Sequence, residues 1–128
     1  MIILDTHIWL WWFSENSKLT NVQIDKIITS EQVGVSAISL FEVSWLSNRK
    51  RIELPCPTKE WFEKALTESN IDLVPITPEI ANLAAELPEH HSDPQDRLII
   101  ATAVVHDAFL LSADGKFKLY SELDGKLI

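Results

Sequence analysis

The sequence predicts an α/β fold of three layers, α/β/α, around a central, mainly parallel sheet of four to five strands, with residues 1–128 forming one domain. Two observations predict it. Short apolar runs alternate along the chain with stretches of helical periodicity, the pattern of βαβ units. A chain of 128 residues that is 46% hydrophobic and 23% charged also has the size and composition of one ordinary core.

Ile2, Ile3 and Leu4 form the first strand, which ends at Asp5, and a helix rich in aromatics follows through Trp12. Residues 8–13 are apolar all round, so this helix should be covered on more than one side. Thr20 resembles an N-cap, and Val22, Ile24, Ile27 and Ile28 give a second short helix. Residues 32–36, around Val33 and Val35, read as the second strand. Helical spacing returns over 39–50 at Leu40, Val43 and Leu46, with Phe41 and Trp45 four apart on an adjoining stripe. Arg49, Lys50 and Arg51 close that helix, where cations favour its dipole.

Leu54-Pro55-Cys56-Pro57 breaks the chain before an amphipathic helix over 58–69 that carries Trp61, Phe62, Ala65 and Leu66. Residues 71–76 read as the third strand, with Pro75 marking its end or an edge position. Thr77 and Pro78 open the next helix as N-cap and first helical residue, and it continues to about Leu87. A polar loop over 88–92 leads to Asp93-Pro94-Gln95-Asp96, the start of a helix through Leu98, Ile99, Ala101, Thr102 and Val105. Phe109-Leu110-Leu111-Ser112 is the fourth strand, broken at Asp114-Gly115.

Several function classes are excluded by arithmetic. Three glycines, at 34, 115 and 125, cannot write a G-x-G-x-x-G loop, a G-x-x-x-x-G-K loop or a G-x-S-x-G elbow. One cysteine, Cys56, allows neither an internal disulfide nor a Cys-rich zinc site, and the histidines at 7, 90, 91 and 106 lack metal-ligand spacing. The thiol-poor composition suits a reducing compartment. With no basic leader, and an apolar run over 8–13 far short of the ~20 residues of a membrane span, a cytoplasmic protein with no membrane partner is expected. The net charge of −8 repels nucleic acid at long range. A local rim of basic residues still acts within the screening length of about 8 Å, so the site decides rather than the total.

In parallel α/β sheets ligands sit at the carboxyl ends of the strands, and four acids converge there. Asp5 closes the first strand and Asp114 follows the fourth. Glu42 lies about a turn and a half beyond the second strand, on a helix leaving the same edge. Asp96 opens the helix before the fourth strand; that helix runs antiparallel to the strand, so its start lies near the strand's far end. Grouped carboxylates repel and raise one another's pKa values, which a divalent cation relieves. Oxygen-only ligation selects Mg²⁺ or Mn²⁺ over zinc. Such ions activate water and stabilise a leaving oxygen, the logic of phosphodiester hydrolysis.

Taken singly, these acids have structural readings. Asp93 and Asp96 suit the first turn of a helix, as N-cap and dipole partner, and Asp114-Gly115 is a common turn. Ser112 and Thr6 offer hydroxyls to orient a carboxylate or water, and Arg97 and Lys116, adjacent to proposed ligands, are placed to contact phosphate. His7 is in position to line the cleft. The tryptophans at 9, 11, 12, 45 and 61 belong to core or protein interface by their helical settings rather than to base stacking.

Four segments, Ile2-Ile3-Leu4-Asp5-Thr6-His7-Ile8-Trp9, Ser36-Ala37-Ile38-Ser39-Leu40-Phe41-Glu42-Val43, Asp93-Pro94-Gln95-Asp96-Arg97-Leu98-Ile99-Ile100-Ala101-Thr102-Ala103 and Leu110-Leu111-Ser112-Ala113-Asp114, together resemble the PIN domain family of VapC-type toxins. The resemblance covers nearly the whole chain in order. It implies a metal-dependent endoribonuclease of a type II toxin-antitoxin module, using Mg²⁺ or Mn²⁺, acting on RNA, forming a homodimer and bound by a cognate antitoxin protein. By position Asp5, Glu42, Asp96 and Asp114 match the acidic quartet that holds the metal and carries catalysis, with Asp93 an accessory acid. Ser112 stands where the family often has Thr. An acidic pocket would also attract a basic antitoxin segment.

Two other classes remain open at this stage. An acid-pocket phosphatase also places Asp at the end of the first strand, but the haloacid dehalogenase pattern wants a second Asp where His7 stands. A receiver domain wants its phosphoacceptor Asp where Pro75-Ile76 stands. A non-catalytic module for antitoxin binding or oligomerisation should have lost acids, and here the quartet is intact.

Overall fold

Strand β1 (Ile2–Leu4) lies at the centre of a four-stranded parallel sheet of order β3-β2-β1-β4. Ile2, Ile3 and Leu4 pair with Val33, Gly34 and Val35 of β2 (Val33–Ser36) on one side and with Phe109, Leu110 and Leu111 of β4 (Phe109–Leu111) on the other. β3 (Asp72–Val74) pairs with β2 at the outer edge. The computed structural model describes residues 1–14, 18–90 and 92–128. His91, in the expected polar loop, lies outside the described residues.

Side chains alternate across the sheet and so build two cores. Ile3 and Leu110 point into one, with Ile80 and Ala84 of α5 (Pro78–Glu86) and Ile99, Ile100 and Ala103 of α6 (Pro94–Val105). Ile2, Leu4 and Leu111 point into the other. There they meet Ile8 and Trp9 of α1 (Thr6–Trp12), Ile27 of α2 (Asn21–Thr29), Val43 of α3 (Ile38–Asn48), and Trp61 and Ala65 of α4 (Thr58–Ala65). The result is the three-layer α/β/α arrangement that the alternation of strands and helices predicts.

Glycine is required at one place in the sheet. A Cβ on Gly34 would stand 2.9 Å from Val74 Cγ2 and 3.3 Å from the Asp72 carbonyl, closer than packed atoms tolerate. Helix ends are closed without glycine. Lys50, Asn70 and Asp107 take left-handed backbone (φ 56, 61 and 49), and the next residue donates to a carbonyl five back: Arg51 to Leu46 at 2.9 Å, Ile71 to Leu66 at 3.2 Å and Ala108 to Ala103 at 2.9 Å.

The structure differs from the expectations at several boundaries. α4 stops at Ala65 rather than 69, because Ser69 Oγ donates to the Ala65 carbonyl at 2.8 Å and Asn70 reverses the chain. β3 is three residues long, since Pro75 has no N–H for a ladder. Two 3-10 turns, Phe117–Leu119 and Ser121–Leu123, follow β4 and seat Phe117, Tyr120 and Leu123 in the first core. In place of a fifth strand, Leu127 makes one parallel bridge to Leu110.

Cover on α1 is one-sided. Ile8 and Trp9 are fully buried, and Trp9 Nε1 donates to the Ala65 carbonyl at 3.2 Å, while Leu10, Trp11 and Trp12 are half-buried and Phe13 is exposed. Among the described residues no helix is long and apolar enough to cross a membrane.

Candidate active site

At the carboxyl edge of the sheet Asp5 leaves β1 and becomes the N-cap of α1, with its side chain only 6% exposed. Thr6 N–H donates to Asp5 Oδ1 at 2.7 Å, and Ser112 Oγ donates to Asp5 Oδ2 at 2.8 Å. Ser112 Oγ in turn accepts the Asp114 N–H at 3.0 Å. Burial pushes the Asp5 carboxyl above its ordinary range; the bonds from Ser112 and Thr6, and then His7, pull it back, and Asp114 adds to the push.

Glu42 projects from α3 and is half-buried. Thr6 Oγ1 donates to Glu42 Oε1 at 2.9 Å, so Thr6 grips two acids, one through its backbone and one through its hydroxyl. Burial again raises this carboxyl, opposed first by the Thr6 bond, and the charges of Asp5 and Asp93 raise it further. Asp93 caps α6 by accepting the Gln95 N–H at 2.9 Å, and Asp96 sits in the first turn of that helix. Asp114 Oδ1 accepts the Lys116 N–H at 2.9 Å, closing the turn after β4.

All five acids line one cleft of about 360 Å³, with His7, Trp11 and Ala113 completing its wall. The cleft is open, and among the described residues no three His, Cys, Asp or Glu side chains close into a ready-made metal cage. Like charges kept in water stand apart, and a cation is what would draw them together. The donor set consists of hard carboxylate oxygens with one acid nine-tenths buried, which fits Mg²⁺ or Mn²⁺.

Thr6 and Ser112 both hydrogen-bond to the acids of the cleft. Arg97 does not line the acidic cleft. Its guanidinium turns away to the end of α5, donating to the carbonyls of Ala84 at 3.0 Å, Ala85 at 3.3 Å and Pro88 at 3.0 Å, and to that of Leu87. Those carbonyls lack helical partners, and the planar fork of donors matches their fan. Lys116 contributes its backbone N–H to Asp114, and its side chain is not part of the cleft wall. Ser39 was not anticipated. It is fully buried, and its Oγ lies 2.9 Å from Thr6 Oγ1. The signal was its position three residues before Glu42 on one helix, hence on the same face.

Beside the acidic cleft runs a second groove of about 640 Å³. Leu10, Trp11, Phe13, Leu54, Pro55 and Trp61 supply its apolar wall, and His7 and Trp11 belong to both clefts.

Residues 2–123 of the chain match the family model described as PIN domain. The chain belongs to the PIN domain family. This PIN domain is 36% identical over 118 residues to Ribonuclease VapC22 of Mycobacterium tuberculosis, covering 91% of this chain and 89% of that protein. Among solved structures it is similar to VapBC2 from Rickettsia felis bound to a promoter DNA fragment, at a TM-score of 0.71 and 19% identity, over 100% of this chain and 98% of that one. A toxin-antitoxin complex from Klebsiella pneumoniae aligns at a TM-score of 0.66 and 19% identity, over 100% of this chain and 96% of that one. At such identities the structures establish the fold of this PIN domain.

Proposed function

We propose that this PIN domain is an endoribonuclease toxin of a type II toxin-antitoxin module, hydrolysing RNA phosphodiester bonds at the acidic cleft with Mg²⁺ or Mn²⁺. The observation that carries the reading is the meeting of five carboxylates in one cleft at the carboxyl edge of the sheet. Family membership and likeness to a ribonuclease support the same chemistry.

Asp5, Glu42, Asp96 and Asp114 would hold the ion, with Asp93 at the rim. Once bound, the ion supplies charge neutralisation, a more acidic water and an anchor for the phosphate. The protein's own groups do the rest. Ser112 and the Thr6 N–H fix both oxygens of Asp5, and the Thr6 hydroxyl fixes Glu42, so neither acid needs to reorganise during reaction. The first turn of α6 presents Asp96 from a rigid helix. RNA incubated with the antitoxin-free protein should be cut in Mg²⁺ or Mn²⁺ and spared in EDTA. Survival of RNA in every lane, with the protein folded and metal bound, would exclude general ribonuclease activity and leave a phosphomonoester assay to test the phosphatase reading.

An antitoxin is the partner of this reading. A segment with apolar side chains for the Trp11–Phe13–Leu54 groove and a basic residue for the adjoining acids has the matching chemistry. Phe13→Ala, at a residue that lines the groove and not the acidic cleft, should weaken pull-down by the cognate antitoxin while leaving cleavage of RNA intact; an undiminished complex would remove the groove from the interface. A homodimer belongs to the same proposal, and light scattering of the isolated protein tests it.

A further inference from the structure

Thr6 joins Asp5 and Glu42, yet a hydroxyl has one proton and two directions in which to offer it. Thr6 Oγ1 lies 2.9 Å from Glu42 Oε1 and 2.9 Å from Ser39 Oγ. An ionised carboxylate only accepts. Thr6 therefore donates to Glu42, and the proton between Thr6 and Ser39 is the serine's own. The chain of bonds has a fixed sense, from Ser39 to Thr6 to Glu42, and each bond polarises the next.

The buried hydroxyl of Thr102 shows the more usual arrangement for a helix, donating to the Leu98 carbonyl one turn back at 2.7 Å. Ser39 sits in the first turn of α3 and reaches another element instead. A parallel relay holds the neighbouring acid, from the Asp114 N–H to Ser112 Oγ to Asp5 Oδ2. Asp5 and Glu42 thus each have a hydroxyl against them and a second donor behind that hydroxyl.

Resting on the reading of the acidic cleft as a metal site, we propose that Ser39 is a positioning residue: it orients the Thr6 hydroxyl, and through Thr6 holds the Glu42 carboxylate in the geometry that receives the divalent ion. Ser39 touches neither ion nor RNA. Its loss lets the Thr6 hydroxyl rotate and Glu42 wander, so metal affinity falls before any property of the RNA site changes.

The test measures Mn²⁺ binding by calorimetry without RNA, and Mn²⁺-saturated cleavage separately, on the full chain. Ser39→Ala should weaken Mn²⁺ binding by about 10-fold, the scale of groups that orient metal ligands, and leave KM for RNA unchanged. Ser39→Cys, a weaker donor of similar shape, should lie between it and wild type. Thr6→Ser should stay near wild type, while Thr6→Val should lose at least as much as Ser39→Ala. In the Thr6→Val background Ser39→Ala should cost nothing further, a result that a merely structural serine would not give. Wild-type affinity in Ser39→Ala, or an undiminished effect in the Thr6→Val background, overturns the relay alone. A wild-type protein that binds no Mn²⁺ overturns the reading of the site, and the relay with it.

Discussion

The junction from β1 into α1 and the junction from β3 into α5 answer the same requirement with different residues. Both leave the carboxyl edge of the sheet and both need an acceptor for the first N–H groups of a helix. At the second, Thr77 accepts the Ile80 N–H at 3.2 Å and Pro78 fills the first helical position, a neutral and sufficient cap. At the first, the only N–H of α1 that the Asp5 side chain accepts is that of the adjacent Thr6, yet it is a carboxylate held nearly out of water against its own preference for charge. A neutral cap would serve α1 at lower cost. The difference is what the proposed function requires: on that reading Asp5 is kept for its charge, and capping is incidental to it.

Exchanging the chemistry at the two junctions tests that contrast most strongly. Asp5→Asn preserves an acceptor for Thr6 and should lower RNA cleavage by on the order of 100-fold or more, the scale for removing one fixed electrostatic partner of a reaction. Thr77→Ala should leave the rate per folded molecule unchanged and cost about 1 kcal/mol in denaturant unfolding. Full activity in Asp5→Asn would make the two junctions equivalent and sink the distinction.

The far end of α5 sharpens the contrast from another side. Arg97 adjoins Asp96 in sequence, but its guanidinium donates to carbonyls at and just past the end of α5. Arg97→Met should therefore destabilise the fold by about 2 kcal/mol, because half-buried carbonyls lose charged donors. Cleavage per folded molecule, measured well below the unfolding midpoint, should hold. A selective loss of KM for RNA with unchanged stability would return Arg97 to a phosphate-binding role.

The two arginine readings mark where the sequence was legible. Order of elements, parallel sheet and edge of the site followed from period and composition, because strands of three or four apolar residues between amphipathic helices have few ways to pack. Asp5, Glu42, Asp96 and Asp114 were placed at one edge by topology, Asp93 joined them only through the family resemblance, and all five line one cleft. Side-chain direction was not legible. Whether Arg97 turns to the cleft or to α5 depends on carbonyls nine to thirteen residues earlier, and Ser39 makes its contact with Thr6 33 positions away. The 3-10 turns after β4 went unread as well, although Phe117, Tyr120 and Leu123 stand three apart, the spacing of a 3-10 helix, because the polar residues between them read as a loop.

The smallest expected effect concerns stability against pH in the metal-free protein. Asp5 titrates above the ordinary 3.8 in the folded state because burial disfavours its charge. Between that value and the folded pKa, the native state binds more protons than the unfolded chain, so stability falls as pH rises through the window and stays lower above it. Glu42 has the same sign, weakened by its greater contact with water. Asp5→Asn removes the buried charge and should raise stability in EDTA by about 0.5–1 kcal/mol at neutral pH, as other relieved functional sites do. The gain should shrink on acidification and vanish below the window, which unfolding midpoints across about pH 4 to 8 would resolve. Saturating Mn²⁺ should reverse its sign, because the ion stabilises only a protein that can bind it. A gain independent of pH would trace the effect to packing at the β1–α1 junction, and Asp5 would then differ from Thr77 in shape rather than in charge.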